Sequence, residues 1–364
     1  MSIKITEPTL LLDKGKCMAN IDSMMGKVKG TGVGFRPHFK THQSHEIGKW
    51  FRNRGVKAIT VSSLTMAEYF ASDGWDDITI AFPANILEID TINKLASQIR
   101  INLVIESLDV VEFLAHQLTH PIAIFIKTDI GYHRTGVDPA NIILINSLLD
   151  GIAASESMCF KGFLGHAGHS YKAKGGEDIA TVHDNSLAVI KELKEQYIND
   201  HPDMIISVGD TPTCSVMDNF GVANEIRPGN FVFYDLTQWQ IGSCGMEQIA
   251  VALACPVVAK HYDRNEVVLY GGGVHFSKDR SINTHNREYY GYPVPLKNDG
   301  WGSPDLDVYL SSLSQEHGII SANKAYLDSL QIGDVVAVLP IHSCMTSNLT
   351  RSYLSLKGEI INRL

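Results

Sequence analysis

Between about residue 30 and about residue 235 the chain repeats one pattern eight times: a short apolar run, then a stretch of helical spacing. The runs lie at 33–39, 58–62, 78–82, 101–106, 122–128, 162–166, 205–208 and 225–233. Val, Ile and Phe dominate them, as in strands that are buried on both faces. Between them, 64–72, 86–98, 108–117, 142–149 and 176–197 carry helical patterns; the last places Ile179, Val182, Leu187, Ile190 and Leu193 near helical spacing. Eightfold alternation predicts an α/β fold of the (β/α)8 TIM-like barrel type. A doubly wound open sheet is the alternative, but no G-x-G-x-x-G follows the first run, which weighs against a dinucleotide-binding fold.

After about residue 240 the pattern changes. Runs at 249–260, 266–270 and 335–339 are strand-like with few helical stretches between them, which predicts a C-terminal mostly-β domain. The expected organisation is an N-terminal segment, 1–25, pairing with the β domain; a barrel, 26–240; and the β domain, 241–364. A chain of 364 residues with 44% hydrophobic residues can bury its core without metal or disulfide staples. The net charge of -9 gives no global basic footprint for nucleic acid, and the basic cluster at 49–54 reads as a solvated helix end. The six cysteines form no C-x-x-C and suggest no disulfide framework. The N-terminus lacks the apolar core of a signal peptide, and no stretch approaches the length of a membrane span. The expected location is the cytoplasm, with no membrane partner.

In a barrel of this type chemistry sits at the C-terminal ends of the strands. The first run ends in Arg36-Pro37-His38-Phe39-Lys40-Thr41-His42, the fifth in Asp129-Ile130-Gly131-Tyr132-His133-Arg134-Thr135-Gly136, and the sixth in Gly165-His166-Ala167-Gly168-His169-Ser170-Tyr171. The seventh ends in Val208-Gly209-Asp210-Thr211-Pro212-Thr213, and the eighth carries Glu225-Ile226-Arg227-Pro228-Gly229-Asn230. A lysine desolvated at the inner end of a strand exposes a neutral amine, and such an amine forms a Schiff base with an aldehyde. Taken singly, each residue has a plainer meaning: Lys40 a surface lysine, Asp129 and Arg134 an ion pair, His166 a satisfied core histidine, Gly209 and Thr213 a turn. The loops after strands seven and eight are where such barrels place a phosphate. There Thr211 and Thr213 offer hydroxyls, and the amides near Gly209 and Gly229 offer N–H donors.

A second chemical signal is Pro340-Ile341-His342-Ser343-Cys344. On an extended segment, positions i and i+2 share a side, so His342 and Cys344 can face one cation. Both are good zinc ligands, and the soft thiolate favours zinc over magnesium or manganese. Alone, most H-x-C triplets arise by chance.

The whole constellation resembles the alanine-racemase-like (fold type III) pyridoxal-phosphate enzymes, and within them the D-threonine aldolase and D-serine dehydratase branch, over nearly the full chain. Its most specific element is R-P-H-F-K-T-H, and the resemblance implies that Lys40 carries pyridoxal 5'-phosphate. The D-x-G-x-x-R-x-G pattern falls on Asp129, Gly131, Arg134 and Gly136, and implies that Arg134 lies beside the cofactor's phenolic oxygen. His166 matches the histidine that packs on the pyridine ring, and Arg227 the arginine near the pyridine nitrogen. The implied catalytic residues are Lys40, Arg134 and His166; the implied cofactor residues add Tyr171, Gly209, Thr211, Thr213, Arg227, Gly229 and Asn230. The branch binds a divalent metal where His342 and Cys344 stand, leaving room for water and a substrate hydroxyl. Alanine racemases carry a tyrosine, their second proton-transfer base, where this chain has the glycines of Gly271-Gly272-Gly273.

The resemblance therefore implies a lyase acting on β-hydroxy-D-amino acids. Dehydration of D-serine would give pyruvate and ammonia; retro-aldol cleavage of D-threonine would give glycine and acetaldehyde. It also implies a homodimer in which the β domain of one subunit closes the barrel mouth of the other. A racemase of the same fold is disfavoured by the missing tyrosine. A non-catalytic pyridoxal-phosphate-binding barrel is disfavoured because such chains usually lack the C-terminal domain.

Overall fold

The computed structural model describes residues 4–297 and 300–364. It divides into two compact units: residues 23–229 with Leu364, and residues 230–363 with the N-terminal residues up to Asp22. Residues 230–240 group by their contacts with the β unit.

The first unit is built on eight parallel strands, Gly34–Phe35, Ile59–Val61, Asp77–Pro83, Arg100–Ile105, Ile122–Thr128, Met158–Gly165, Ile205–Val208 and Glu225–Ile226. Each pairs with its sequence neighbour, and the eighth pairs with the first through Gly34↔Glu225 and Phe35↔Ile226. The ring closes between the first and second strands, where Thr60 N donates to Pro37 O at 2.9 Å and Phe39 N donates to Thr60 O at 2.8 Å. The predicted (β/α)8 TIM-like barrel is therefore present, and all eight strands lie within or beside the apolar runs. The first and eighth are much shorter than their runs, because Pro37 and Pro228 have no N–H to extend the ladder. Residues 230–232, expected as the strand's continuation, turn instead into a 3-10 helix.

Helices Leu64–Ser72, Leu108–Gln117 and Gly176–Tyr197 fill the spacings predicted for them. The segment 86–98 splits into a 3-10 turn, Ile86–Glu88, and a helix, Ile89–Ala96; the helix from Ile142 runs on to Ala153. Ser63 and Asn141 cap their helices by accepting from Met66 N and Leu144 N. Inside the barrel, Val104, Phe125 and Leu164 form a fully buried cluster with Ile205 packed against it.

The second unit centres on the strand Val251–His261, which pairs antiparallel with Thr9–Leu12, Glu266–Tyr270 and Val335–Pro340. Val251–Cys255 is buried throughout, which explains why its sequence reads as an unbroken apolar run. Thr9–Leu12 also pairs parallel with Ser352–Ser355, through Leu11↔Leu354. The sheet is completed by Gly291–Val294, Tyr309–Leu313, His317–Ser321 and Ile360–Asn362, giving nine strands among the described residues. None of the six cysteines is in a disulfide. Among the described residues no helix is long and apolar enough to cross a membrane.

Candidate functional site

Phe39 anchors the lysine loop. Its ring is fully buried, with centroids 5.0 Å from Phe51, 5.0 Å from Phe70 and 5.1 Å from Trp75. The next residue, Lys40, is exposed in the single chain, whereas Thr41 and His42 are buried. The expectation that Lys40 is desolvated by its own barrel is not met. The neighbouring His38 is held on both ring nitrogens: Nδ1 accepts from Lys40 N at 3.3 Å, and Nε2 lies 3.4 Å from Ser62 Oγ. Burial, with the positive charges of Lys40 and Arg227, holds the His38 pKa well below the usual histidine value, so the ring is neutral. Ser62 also lines a cleft of about 470 Å³ at the ends of the second, third and fourth strands, with Ser63, Phe82, Pro83, Asn85 and Glu88.

The fifth-strand loop is organised by Asp129. Its Oδ1 accepts from the backbone N–H groups of Gly131, Tyr132 and His133, each at 3.0 Å, and its Oδ2 pairs with His133 Nδ1 at 2.7 Å. Burial pushes the Asp129 pKa up, but these bonds outweigh it and leave the carboxyl below its usual value. The ion partner of Asp129 is thus His133. Arg134 is exposed and lies 4.9 Å over the Tyr132 ring, a cation–π contact. Gly136 turns the loop back at φ +114°, donating its N–H to Glu106.

His166 donates its Nδ1–H to Gly209 O at 2.9 Å, which leaves Nε2 without the proton in the neutral ring. Burial dominates its pKa, and together with Lys40, Lys127 and Arg134 it holds the value well below the usual one, against the Gly209 bond. In the seventh loop, Asp210 accepts from Ser170 Oγ at 2.7 Å and from the N and Oγ1 of Thr213 at 2.9 and 2.8 Å. Burial raises the Asp210 pKa despite these donors. Thr213 therefore spends both its N–H and its hydroxyl on Asp210. Thr211 is drawn into a cluster of donors: its N–H donates to Tyr171 Oη and its Oγ1 accepts from Gly229 N, both at 3.3 Å. Gly229 packs where no Cβ fits, since one would stand 2.9 Å from the Cβ and the carbonyl oxygen of His38.

Two further basic groups complete the arrangement. Arg227 is 4% exposed and donates Nη1 to Ser207 Oγ and Nη2 to Gly165 O, the latter at 2.7 Å. Burial lowers its pKa to about 10. Lys127, at the end of the fifth barrel strand, is 5% exposed, and its Nζ donates to Leu164 O at 3.4 Å. Burial, reinforced by the charges of Arg227 and Arg134, lowers its pKa to about 7. The desolvated amine of this barrel is therefore Lys127, a residue the sequence reading passed over inside the run Ile-Phe-Ile-Lys-Thr. A lone lysine in an otherwise apolar strand is the signal that could have found it.

In the β unit the strand ends at Pro340, and a helix, Ser343–Asn348, begins with His342 as its N-cap. His342 and Cys344 do not lie on one extended segment, as expected, because Asp235 starts the helix early: its Oδ2 accepts from Ser343 N at 3.0 Å and from Ser343 Oγ at 3.2 Å. The two side chains are nonetheless close enough for Cys344 to favour the charged form of His342. His342 Nδ1 also lies 3.3 Å from Asp279 Oδ2. Burial lowers the His342 pKa, but Asp279 and Cys344 outweigh it and push it up to about 11. Asn230, expected among the cofactor residues, donates Nδ2 to Asp235 Oδ2 at 2.6 Å and to Cys344 Sγ at 3.4 Å. Among the described residues no group of three or more His, Cys, Asp or Glu is placed to hold a metal. At Gly271 and Gly272 a Cβ would strike Cys255 Sγ and Gln315 O, so neither position accepts a larger side chain on this backbone.

Residues 12–236 match the family described as "Alanine racemase, N-terminal domain". The chain belongs to the alanine racemase-like family. Within this alanine racemase-like chain, residues 250–356 match a family described as "Putative serine dehydratase domain". The D-serine dehydratase of Dictyostelium discoideum is 30% identical, over 98% of this chain and 95% of that protein. The D-threo-3-hydroxyaspartate dehydratase of Delftia sp. (strain HT23) is 26% identical, over 98% of this chain and 96% of that protein. A solved structure of a D-threo-3-hydroxyaspartate dehydratase mutant in the metal-free form superposes with a TM-score of 0.88 at 25% identity, covering 99% of this chain and 98% of that one.

Proposed function

We propose that this chain is a pyridoxal-phosphate-dependent lyase that removes the β-hydroxyl of a β-hydroxy-D-amino acid with the help of a divalent metal, zinc by the softness of its ligands. The observation that carries this reading is the basic cluster at the strand ends: Lys40, Lys127, Arg134 and Arg227, with two neutral histidines among them. The nearby carboxylates are already engaged, Asp129 by backbone and His133, Asp210 by Ser170 and Thr213, Glu225 by Arg36 and Ser207. The lining therefore suits a ligand that carries a phosphate and a phenolate. Tyr171, Thr211 and the amides of Gly209 and Gly229 are the donors for the phosphate, with Thr213 fixing their loop through Asp210. His166 offers a ring of fixed orientation to stack on the pyridine, and Arg134 a mobile cation for the phenolate.

Bound there, pyridoxal phosphate supplies an electron sink for the pair left at Cα. The Lys40 amine would hold the cofactor and would take the Cα proton of the substrate. His342 and Cys344 would be the metal ligands, with Asn230 and Asp279 orienting them. The metal supplies a Lewis acid that makes hydroxide a competent leaving group. The crowded backbone at Gly271 and Gly272 excludes a tyrosine base there, which supports elimination over racemisation. The names of the two curated relatives above support dehydration in particular. The test is an assay of the purified protein with pyridoxal phosphate and zinc on D-serine, D-threonine and D-threo-3-hydroxyaspartate. Release of a 2-oxo acid and ammonia is expected. Glycine from D-threonine would instead show aldol cleavage, and L-amino acid product alone would refute a lyase.

A further inference from the structure

A chain of buried hydrogen bonds runs through the barrel interior behind Arg227. Glu225, two residues before it on the same strand, accepts from Ser207 Oγ at 2.6 Å through Oε1 and from Arg36 Nε at 2.9 Å through Oε2. Ser207 is fully buried and has a single proton. Because a carboxylate only accepts, that proton points to Glu225, and the Ser207 oxygen lone pairs are turned to Arg227 Nη1. Arg36 is in turn held by Asp77, Nη1 to Oδ1 at 2.6 Å, and Asp77 by Asn102 at 3.1 Å. Every link has one possible direction, so the orientation of the Arg227 guanidinium follows from the charge on Glu225. The groups that face Arg227 electrostatically are Glu225, Cys214, Arg36, Asp210, Lys127 and His38. Of these, Glu225 exerts the largest attraction.

We propose that Glu225 is a positioning residue for the cofactor ring: through Ser207 it fixes the rotation of Arg227, so that the guanidinium presents its remaining N–H groups in one geometry to the ring nitrogen. This rests on the assignment of Arg227 to the pyridine nitrogen made above. Two of the five guanidinium N–H groups are spent on Ser207 and Gly165, and the proposal assigns the others to the ring nitrogen. Without the Ser207 hydroxyl the buried guanidinium keeps only the Gly165 bond, which does not by itself fix its rotation. Arg36 and Asp77 hold the far end of the relay, so Glu225 cannot swing away from Ser207 without breaking a second ion pair.

The test uses the holoenzyme and the visible absorption of the bound cofactor, whose pH titration reports the ring environment independently of turnover. Ser207→Ala, Glu225→Gln and Arg227→Ala are compared with the parent. All three are expected to move the titration midpoint in the same direction, by about one unit or more, a tenfold change in the protonation equilibrium. Ser207→Ala should also lower kcat about tenfold with KM changed less than about threefold, since it removes an interaction behind the ring and none with substrate. If Glu225→Gln does not fold, Ser207→Ala alone carries the test, because it leaves the Arg36–Glu225 ion pair intact. A shift in Arg227→Ala with none in Ser207→Ala overturns the relay while leaving the ring assignment standing. No shift in Arg227→Ala overturns the ring assignment, and the relay falls with it.

Discussion

His166 and Gly209 are tied by one 2.9 Å hydrogen bond from the ring Nδ1 to the carbonyl oxygen. The ring proposed to stack on a cofactor is therefore oriented by the backbone of the loop proposed to hold its phosphate. Because a carbonyl only accepts, the imidazole must keep its proton on Nδ1, and burial keeps it from gaining a second.

Burial of the His166 ring, which the Gly209 bond only partly offsets, makes stability depend on acidity. The folded-state pKa of His166 is depressed below the unfolded value of 6.5. Below that value the unfolded chain binds a proton that the folded chain refuses, so this contribution is present above about pH 6.5 and is lost as pH falls toward the folded value. His38 acts in the same direction. Urea unfolding of cofactor-stripped protein at about pH 7.5 and about pH 5.5 should show a smaller loss for His166→Asn than for the parent. Equal losses would refute the assignment.

Gly209 itself tolerates no side chain. It has φ +136°, and a Cβ would stand 2.5 Å from Arg227 N. Gly74 also has a positive φ, +86°, but nothing lies within 4 Å of a Cβ there. Gly209→Ala should cost at least about 2 kcal/mol more than Gly74→Ala, since both carry the backbone strain and only one displaces a neighbouring strand. Chemical denaturation of the two variants side by side checks this.

Two lysine amines lie at the strand ends of the barrel. Lys127 is the buried one with a depressed pKa, and Lys40 the exposed one on the lysine loop. Borohydride reduction of the holoenzyme followed by peptide mapping should place the pyridoxyl label on Lys40. A label on Lys127 would transfer the cofactor role to it.

Chelation, or Cys344→Ala, should spare the circular-dichroism spectrum and cofactor binding but reduce loss of the β-hydroxyl by on the order of a thousandfold. Exchange of the Cα proton of D-serine with heavy water should persist at least in part. Undiminished 2-oxo acid formation without metal would remove the metal from the reaction; collapse of the fold would make it structural.

Light scattering should give about twice the chain mass of 40.1 kDa. A fully active monomer would contradict the expected homodimer.

The barrel was legible because its strands are covered on both faces, so burial writes itself as continuous runs such as 122–128, and the helices between as amphipathic spacing. Where proline interrupts pairing, at Pro37 and Pro228, the runs overstate the strands. The positions of Lys40, Arg134, His166 and Arg227 could be read from strand ends. The groups that tune them could not. Lys127 and Ser207 are the charged or polar exceptions in apolar strands and Glu225 opens one, and their partners come from neighbouring strands in register, which a one-dimensional reading does not align. The strand geometry expected for His342 and Cys344 does not hold, because Asp235 winds the segment into the start of a helix.

The seam of the barrel has a consequence for how the chain is made. Arg36, at the head of the lysine loop, is locked to Glu225, 189 residues further along, and Gly229 closes over His38 and Thr41. During synthesis the segment bearing Lys40 leaves the ribosome long before the strand that frames it, at the usual rate of roughly 5–20 residues per second. A nascent chain halted before residue 225 has the lysine and most of the strands, but neither the arginine at its back nor the glycine that completes the cradle. The lysine loop is therefore framed on this side only when the last strand of the barrel has been made.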